Sequence, residues 1–346
     1  MRLFVSEFLS SGAVDPATAP ASLLREGRSM LLALAADLAR IEDARVCTTW
    51  HPALGDWPLP DVEAVMVRWA HDEEAAFCRL AAECDATYVI APELDNLLWQ
   101  RCRTVETLGR SLNSTLDAIA LTSDKLLLFE HLDAAGVPTI PTQSLQETVE
   151  PSFPCVVKPR LGAGSEDTYV VHDAAAFRQV SARVDAGAMI VQPYIAGTPC
   201  SVGAFFNGDG QLLTLLPPTA QHLSEDGRLK YLGGHSPFET GHTDALNDLV
   251  STAAAAIDGL RGYVGFDLLI PHQSPERPLL VEVNPRLTTS YLGYRALTGD
   301  NLAAWLLPHA SPTDAPHWRD VRVTFQPDGT VADVPVETAL TPGTGL

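Results

Sequence analysis

One stretch, Leu279–Leu292, reading LLVEVNPRLTTSYL, limits what this chain can fold into more than any other. Leu279–Val283 sets aliphatic residues around a single carboxylate, Glu282. β-branched and aliphatic side chains suit a pleated surface that is covered, so the run reads as a buried strand. Side chains alternate along a strand, which puts Glu282 and Asn284 on one face, with Arg286 following in the same phase. Two readings are open at this point. One is an edge strand with a solvated polar face. The other is a site in which hard oxygens hold a cation such as Mg²⁺ and the guanidinium fork takes an oxyanion in two hydrogen bonds.

Upstream residues shift the balance toward the second reading. Gly262–Ile270, GYVGFDLLI, is a strand with one acidic residue, Asp267, facing away from Phe266 and Leu268. A buried Asp is costly without a partner. The turn Pro271–Pro278 returns the chain antiparallel, so Asp267 and Glu282 can stand opposite each other, where like charges repel unless a cation lies between them. Pro154–Pro159 is a strand carrying Lys158, and RLGAGSED follows at 160–167. Small residues there let backbone N–H groups approach a polyphosphate, although the lysine precedes the glycines and this is not a P-loop. Ser123 and Asp124 start a helix over Lys125–Ala135, stopped by Gly136 and Pro138. Lys125 sits in its first turn, against the dipole, and reads equally as a solvated misfit or as a charge aimed at an anion.

Strands at Leu3–Phe8, Val46–Thr49, Ala64–Val67 and Tyr88–Ala91 alternate with helices at Leu23–Arg40 and Asp72–Cys84. That is the signature of a parallel α/β sheet. Glu93 follows the last of these strands and reads first as a helix N-terminal charge, second as a ligand-end residue. Further strands are expected at Thr168–Val171, Met189–Gln192, Ser201–Phe206 and Leu212–Leu216, with helices at Ala174–Val184 and Leu246–Gly259. Leu229–His235 reads as a Gly-rich loop. A β-hairpin around Asp328–Gly329 closes the chain. The expected organisation is an α/β domain over 1–115, subdomains over 116–195 and 196–310, and a C-terminal hairpin and tail over 311–346.

Composition narrows the function classes. The chain has 346 residues, 46% hydrophobic and 19% charged, which is globular and large enough for two or three domains. A net charge of −20 argues against nucleic-acid and anionic-membrane partners, so any phosphate site must be locally basic or metal-assisted. The N-terminus lacks the apolar core of a signal peptide, and no apolar run is long enough to span a bilayer. Six cysteines without a C-x₂-C pair fit reduced thiols. The expectation is a cytoplasmic protein, with a homodimer left open.

Taken in order, Lys125, Lys158, the Gly-rich loop, the segment Gln192–Ile195, Asp267, Glu282 and Asn284 resemble the ATP-grasp superfamily over roughly residues 115–305. The resemblance implies an ATP-grasp fold, α/β and α+β, behind a pre-ATP-grasp α/β domain. It implies that Lys125 and Lys158 contact ATP phosphates. Residues 161–165, with Gly162, Ala163, Gly164 and Ser165, would cover them. The backbone of Gln192, Pro193, Tyr194 and Ile195 would meet adenine. Asp267, Glu282 and Asn284 would ligate Mg²⁺ or Mn²⁺, and Arg286 would stabilise an acyl phosphate, with Lys158 and Arg286 as the catalytic pair. Pro193 and Pro199 stand where the family often carries carboxylates, which leaves the ribose to Gln192 or a neighbour.

Within the superfamily, LFVSEFLSSG, LLREGRSMLLALAADL, YVIAPELDNLL, KPRLGAGSED, YLGG and EVNPRLTTSYLG resemble the tyramine–glutamate ligases of methanofuran-type cofactor synthesis. This implies formation of an amide between the γ-carboxylate of glutamate and tyramine or a related amine, through an acyl phosphate. Thr288, Thr289, Ser290 and Tyr291 would lie by the acyl donor or acceptor, or else cap a helix. Tyr231, Gly233 and Gly234 are candidates for the same pocket. The alternatives are another ATP-grasp amino-acid ligase and a nucleotide-binding protein without ligase activity. The Asn-Pro-Arg phrase also resembles biotin carboxylase, against which the short chain speaks.

Overall fold

Three sheets carry the computed structural model, which describes residues 1–162, 167–308, 312 and 314–334. The first is parallel, with strands β1 (Arg2–Glu7), β2 (Arg45–Trp50), β3 (Val62–Met66) and β4 (Ala86–Ile90) in the order β3-β2-β1-β4. Strands β1, β2 and β4 are buried nearly throughout because helices α1 (Ala21–Ala39), α2 (Ala70–Glu83) and α3 (Leu97–Leu108) cover the sheet. The strand order reverses between β1 and β4, so the ligand crevice of such a sheet opens beyond their carboxyl ends, where Glu7 and Glu93 stand.

Helices α4 (Leu116–Ser123) and α5 (Lys125–Ala134) lead out of this unit. Asp124 caps α5, its Oδ1 accepting from the N–H of Leu126 and Leu127, each at 3.1 Å. The second sheet is antiparallel, with β5 (Gln143–Ser144), β6 (Cys155–Pro159), β7 (Tyr169–Val171) and β8 (Met189–Pro193) in the order β5-β8-β6-β7, and α6 (Ala174–Ser181) backing it. The third holds eight strands, β9 (Gly197–Phe206), β10 (Leu212–Leu215), β11 (Thr219–Leu223), β12 (Tyr231–Ser236), β13 (Gly262–Pro271), β14 (Leu279–Asn284), β15 (Arg322–Phe325) and β16 (Val331–Val334). Helix α7 (Thr243–Ala256) packs on its far face, and α8 (Ser290–Ala296) follows β14.

The third sheet sorts its residues by parity. Val264, Phe266, Leu268 and Ile270 of β13 join Leu246, Leu249 and Val250 of α7 in one core. Gly265, Asp267 and Leu269 therefore face the other way. Strand β14 pairs with β13 so that Asp267 stands opposite Glu282 and Gly265 opposite Asn284. The register then shifts: Leu268 pairs with Leu280, and Val281 is left over as a bulge. The extra residue keeps both Leu280 and Val283 in the core while Val281 and Glu282 line the cleft.

Several expectations need correction. The stretch expected as a Gly-rich loop, Leu229–His235, enters strand β12 at Tyr231, paired on both sides. Its glycines serve close packing: a Cβ on Gly233 would lie 2.3 Å from the Phe325 carbonyl oxygen, and one on Gly234 at 2.3 Å from that of Ala220. Helix α6 ends at Ser181, short of Val184. Helices α3 and α4 and strand β11 are further elements, not among those expected from the sequence. The terminal hairpin forms as expected, and β15 joins the large sheet through β12.

Candidate active site

The second and third sheets face one another across a cavity of about 830 Å³, which the first unit closes at one end. Lys125 and Lys158 enter it from α5 and β6, and Asp267, Glu282 and Asn284 from β13 and β14. Gly162, Gln192, Pro193, Tyr194 and Ile195 line it, and so does Arg286. The polar residues singled out in the sequence thus meet in one place. Ala163, Gly164 and Ser165 lie outside the described residues.

Each side chain has an identifiable setting. Lys125 Nζ donates to the Gly162 carbonyl at 2.9 Å and lies 3.7 Å from Glu282 Oε2, so it is neither a solvated misfit nor a free charge. Lys158 makes no direct hydrogen bond or ion pair among the described residues. Burial pushes its ammonium down to about 8, against the pull of Glu282 and with repulsion from Lys125. A buried lysine beside a second lysine is a pair that could hold an anion.

Asp267 accepts from Gln221 Nε2 at 2.7 Å and from Asn284 Nδ2 at 2.9 Å. Burial, and then the neighbouring Glu282, push its carboxyl up to about 8. Glu282 faces the same burial, yet Lys125 and Lys158 hold it below the usual carboxylate range. The two carboxyls stand opposite each other in the strand pairing and shift in opposite directions, Asp267 up and Glu282 down. A divalent cation between them would offset their repulsion. Two carboxylates and the Asn284 amide oxygen form an all-oxygen set that fits Mg²⁺ or Mn²⁺. Among the described residues no cluster of three or more His, Cys, Asp or Glu accompanies them, so phosphate and water oxygens would complete the shell.

Arg286 is already engaged. Its Nη2 donates to Glu93 Oε2 at 2.7 Å and its Nη1 to the Leu287 carbonyl at 3.1 Å. Glu93 makes no side-chain cap bond, so it is the buried partner of Arg286 rather than a helix charge. The pair joins the end of β4 to the loop after β14. The Gln192 side chain is buried and donates to Thr142 Oγ1 at 2.8 Å. Thr288, Thr289 and Ser290 line the cavity, whereas Tyr291 is fully buried and donates to Asp37 at 2.8 Å. Tyr231 lines the cavity; Gly233 and Gly234 do not.

Sequence reasoning missed Gln221, Glu26 and the turn after β11. In that turn Ser224, Glu225 and Gly227 line the cavity, and the Gly227 carbonyl accepts from Val170 N–H at 2.8 Å, bridging the second and third sheets. The run Ser224–Gly227 signals a turn, but nothing in it announces a cleft wall.

Comparison with known proteins agrees with this architecture. A family model described as an ATP-grasp domain matches residues 122–290, and one described as a pre ATP-grasp 3 domain matches 44–119. The chain is 24% identical over 318 residues to a tyramine–L-glutamate ligase of Methanocaldococcus fervens, spanning 90% of this chain and 94% of that protein. It is 22% identical over 315 residues to the tyramine–L-glutamate ligase of Methanocaldococcus jannaschii, with 89% of each covered. Among solved structures, an ATP-grasp superfamily protein from Archaeoglobus fulgidus superposes with a TM-score of 0.70 at 22% identity, covering 94% of this chain and 92% of that one. Biotin carboxylase from Campylobacter jejuni gives 0.68 at 18% identity, covering 93% and 74%.

Proposed function

The chain belongs to the ATP-grasp superfamily, and on that premise we propose that it is an ATP-dependent carboxylate–amine ligase joining glutamate, through its γ-carboxylate, to tyramine or a related amine. One observation carries the reading: two lysines and a carboxylate pair that are far apart in sequence converge in a single cavity. Phosphoryl transfer needs charge compensation and positioning more than covalent help from the protein.

The roles divide as follows. Lys125 and Lys158 bind and orient the phosphates. Asp267, Glu282 and Asn284 hold Mg²⁺ or Mn²⁺, which when bound neutralises phosphate charge. The wall from Pro193 to Ile195 receives the base. A substrate carboxylate takes the terminal phosphoryl group from ATP, and ADP leaves. The amine nitrogen then bonds to the acyl carbon as the C–O bond to phosphate breaks, giving an amide. Arg286, fixed by Glu93, presents a permanent positive charge to the acyl phosphate. Walls on both sides of the cleft would shield that intermediate from water once the substrates fill it. The near full-length match to two tyramine–L-glutamate ligases supports this choice of substrates.

The test is ADP release across a panel of amino acids and amines with Mg²⁺, and mass analysis of the product. Glutamate with tyramine should release ADP and give the amide. Lys158→Ala should lower turnover by about 10²-fold or more. ATP binding without ADP release for any acid would leave a nucleotide-binding protein and end the ligase reading. ADP release dependent on bicarbonate would replace it with carboxylation.

A further inference from the structure

Four acidic side chains line the cavity, and two of them, Glu225 and Glu26, have no task in the scheme above. Asp267 and Glu282 are paired with described neighbours, and Glu225 is exposed to water. Glu26 is half-buried on α1 and makes no hydrogen bond or ion pair with any described residue. The nearby guanidinium of Arg286 is committed to Glu93 and Leu287. Helix α1 is held in this position by close packing: a Cβ on Gly27 would lie 2.3 Å from Glu7 Oε1 at the end of β1. That contact seats the neighbouring Glu26 in the cleft wall.

A partly dehydrated carboxylate without a partner is a cost to the free protein. Burial accordingly pushes the Glu26 carboxyl up to about 7, against Arg286 and Arg25. Tyr231 lines the same cavity, and its hydroxyl also bonds no described residue. Glu26 and Asp267 both raise its phenol further above the usual range set by burial. Two side chains with unfilled acceptor capacity therefore line one cavity, close enough to feel each other's charge, with Arg286 near Glu26. An ammonium offers three donors and the compensating charge.

We infer that Glu26 is the seat of a substrate ammonium group, with the Tyr231 hydroxyl as a second acceptor. The inference rests on the ligase reading. Both substrate classes carry such a group: the α-ammonium of an amino acid, and the ammonium of an alkyl amine that must lose a proton before its nitrogen attacks. Hydroxylamine separates them, because it is neutral near pH 7 and intercepts the acyl phosphate as a hydroxamate.

The experiment compares wild type with Glu26→Gln, which keeps the shape and removes the charge. Hydroxamate formation from glutamate and hydroxylamine gives the KM of the acid; amide formation with tyramine gives that of the amine; the KM for ATP is measured in both. Loss of the charged contact should raise one substrate KM by about 10- to 100-fold. A rise for glutamate in the hydroxamate assay assigns the subsite to the donor. A rise for tyramine alone assigns it to the acceptor. All three constants within about threefold of wild type would overturn the inference, as would an equal rise in all three including ATP. Wild-type protein that forms no hydroxamate with any acid would instead overturn the ligase reading itself.

Discussion

Lys158 shows how one residue can combine a proposed function with a penalty. Its ammonium is pushed from 10.5 down to about 8 by burial. The free folded protein therefore pays for charging it at all pH values below 8, and the penalty fades as pH rises from 8 toward 10.5. Binding a triphosphate has the opposite demand, since it needs the charged form. ATP affinity should fall as pH rises above 8, by up to about tenfold per unit, and titration calorimetry between pH 7 and 9.5 would show it. Lys158→Met should bind ATP weakly with that slope gone, and should melt about 2 °C or more above wild type at pH 7 without nucleotide. A variant that melts lower, or keeps the slope, would remove Lys158 from the phosphate site. The identity of this lysine was legible in the sequence, because a Lys in the run PCVVKP has no local partner. The engagement of Arg286 with Glu93 was not, because 193 residues separate them.

Strands β13 and β14 are the elements that build the site. Parity along each strand was readable from the alternation of apolar and acidic residues, and the pairing of Asp267 with Glu282 followed from the short turn between them. The bulge at Val281 was not readable, since it depends on how the edge strand fits its neighbour. Gly265 offers a test of the element. A Cβ there would lie 2.6 Å from Thr288 Cγ2, and Thr288 Oγ1 is 2.9 Å from the Tyr263 hydroxyl. Gly265→Ala should cost about 1–3 kcal/mol in urea denaturation and raise the substrate KM values, because Thr288 must move. Gly208, in the open turn after β9 with nothing within 4 Å, should tolerate Ala within about 0.5 kcal/mol. Equal effects at the two glycines would mean that the β13–Thr288 contact is unimportant. The glycines of β12 make the same point in reverse: read as loop, they are strand, because Gly234 needs small size beside Ala220 and Gly233 needs both small size beside Phe325 and a φ of +116°.

Across the whole molecule, one buried carboxylate ties the first unit to the rest. Asp37 of α1 accepts from the Tyr291 hydroxyl at 2.8 Å and from Arg295 Nε and Nη2 at 3.0 and 2.7 Å, both on α8. Asp37→Ala would leave a guanidinium and a phenol without their partner. The expected loss is about 3–5 kcal/mol, with denaturant unfolding separating into two transitions. A loss below about 1 kcal/mol in a single transition would show that the two units are held together elsewhere. No helix among the described residues is long and apolar enough to cross a membrane. By itself the sequence determined the alternating elements, the polar residues that break them, and their order along the chain, because periodicity and the cost of burying a lone charge are local properties. Only the tertiary structure decided that Glu93 belongs to Arg286, that Gln192 turns to Thr142, that Tyr291 leaves the cleft for Asp37, and that Glu26 enters it. Each of these depends on which surfaces meet when separate sheets pack, and no local spacing encodes that.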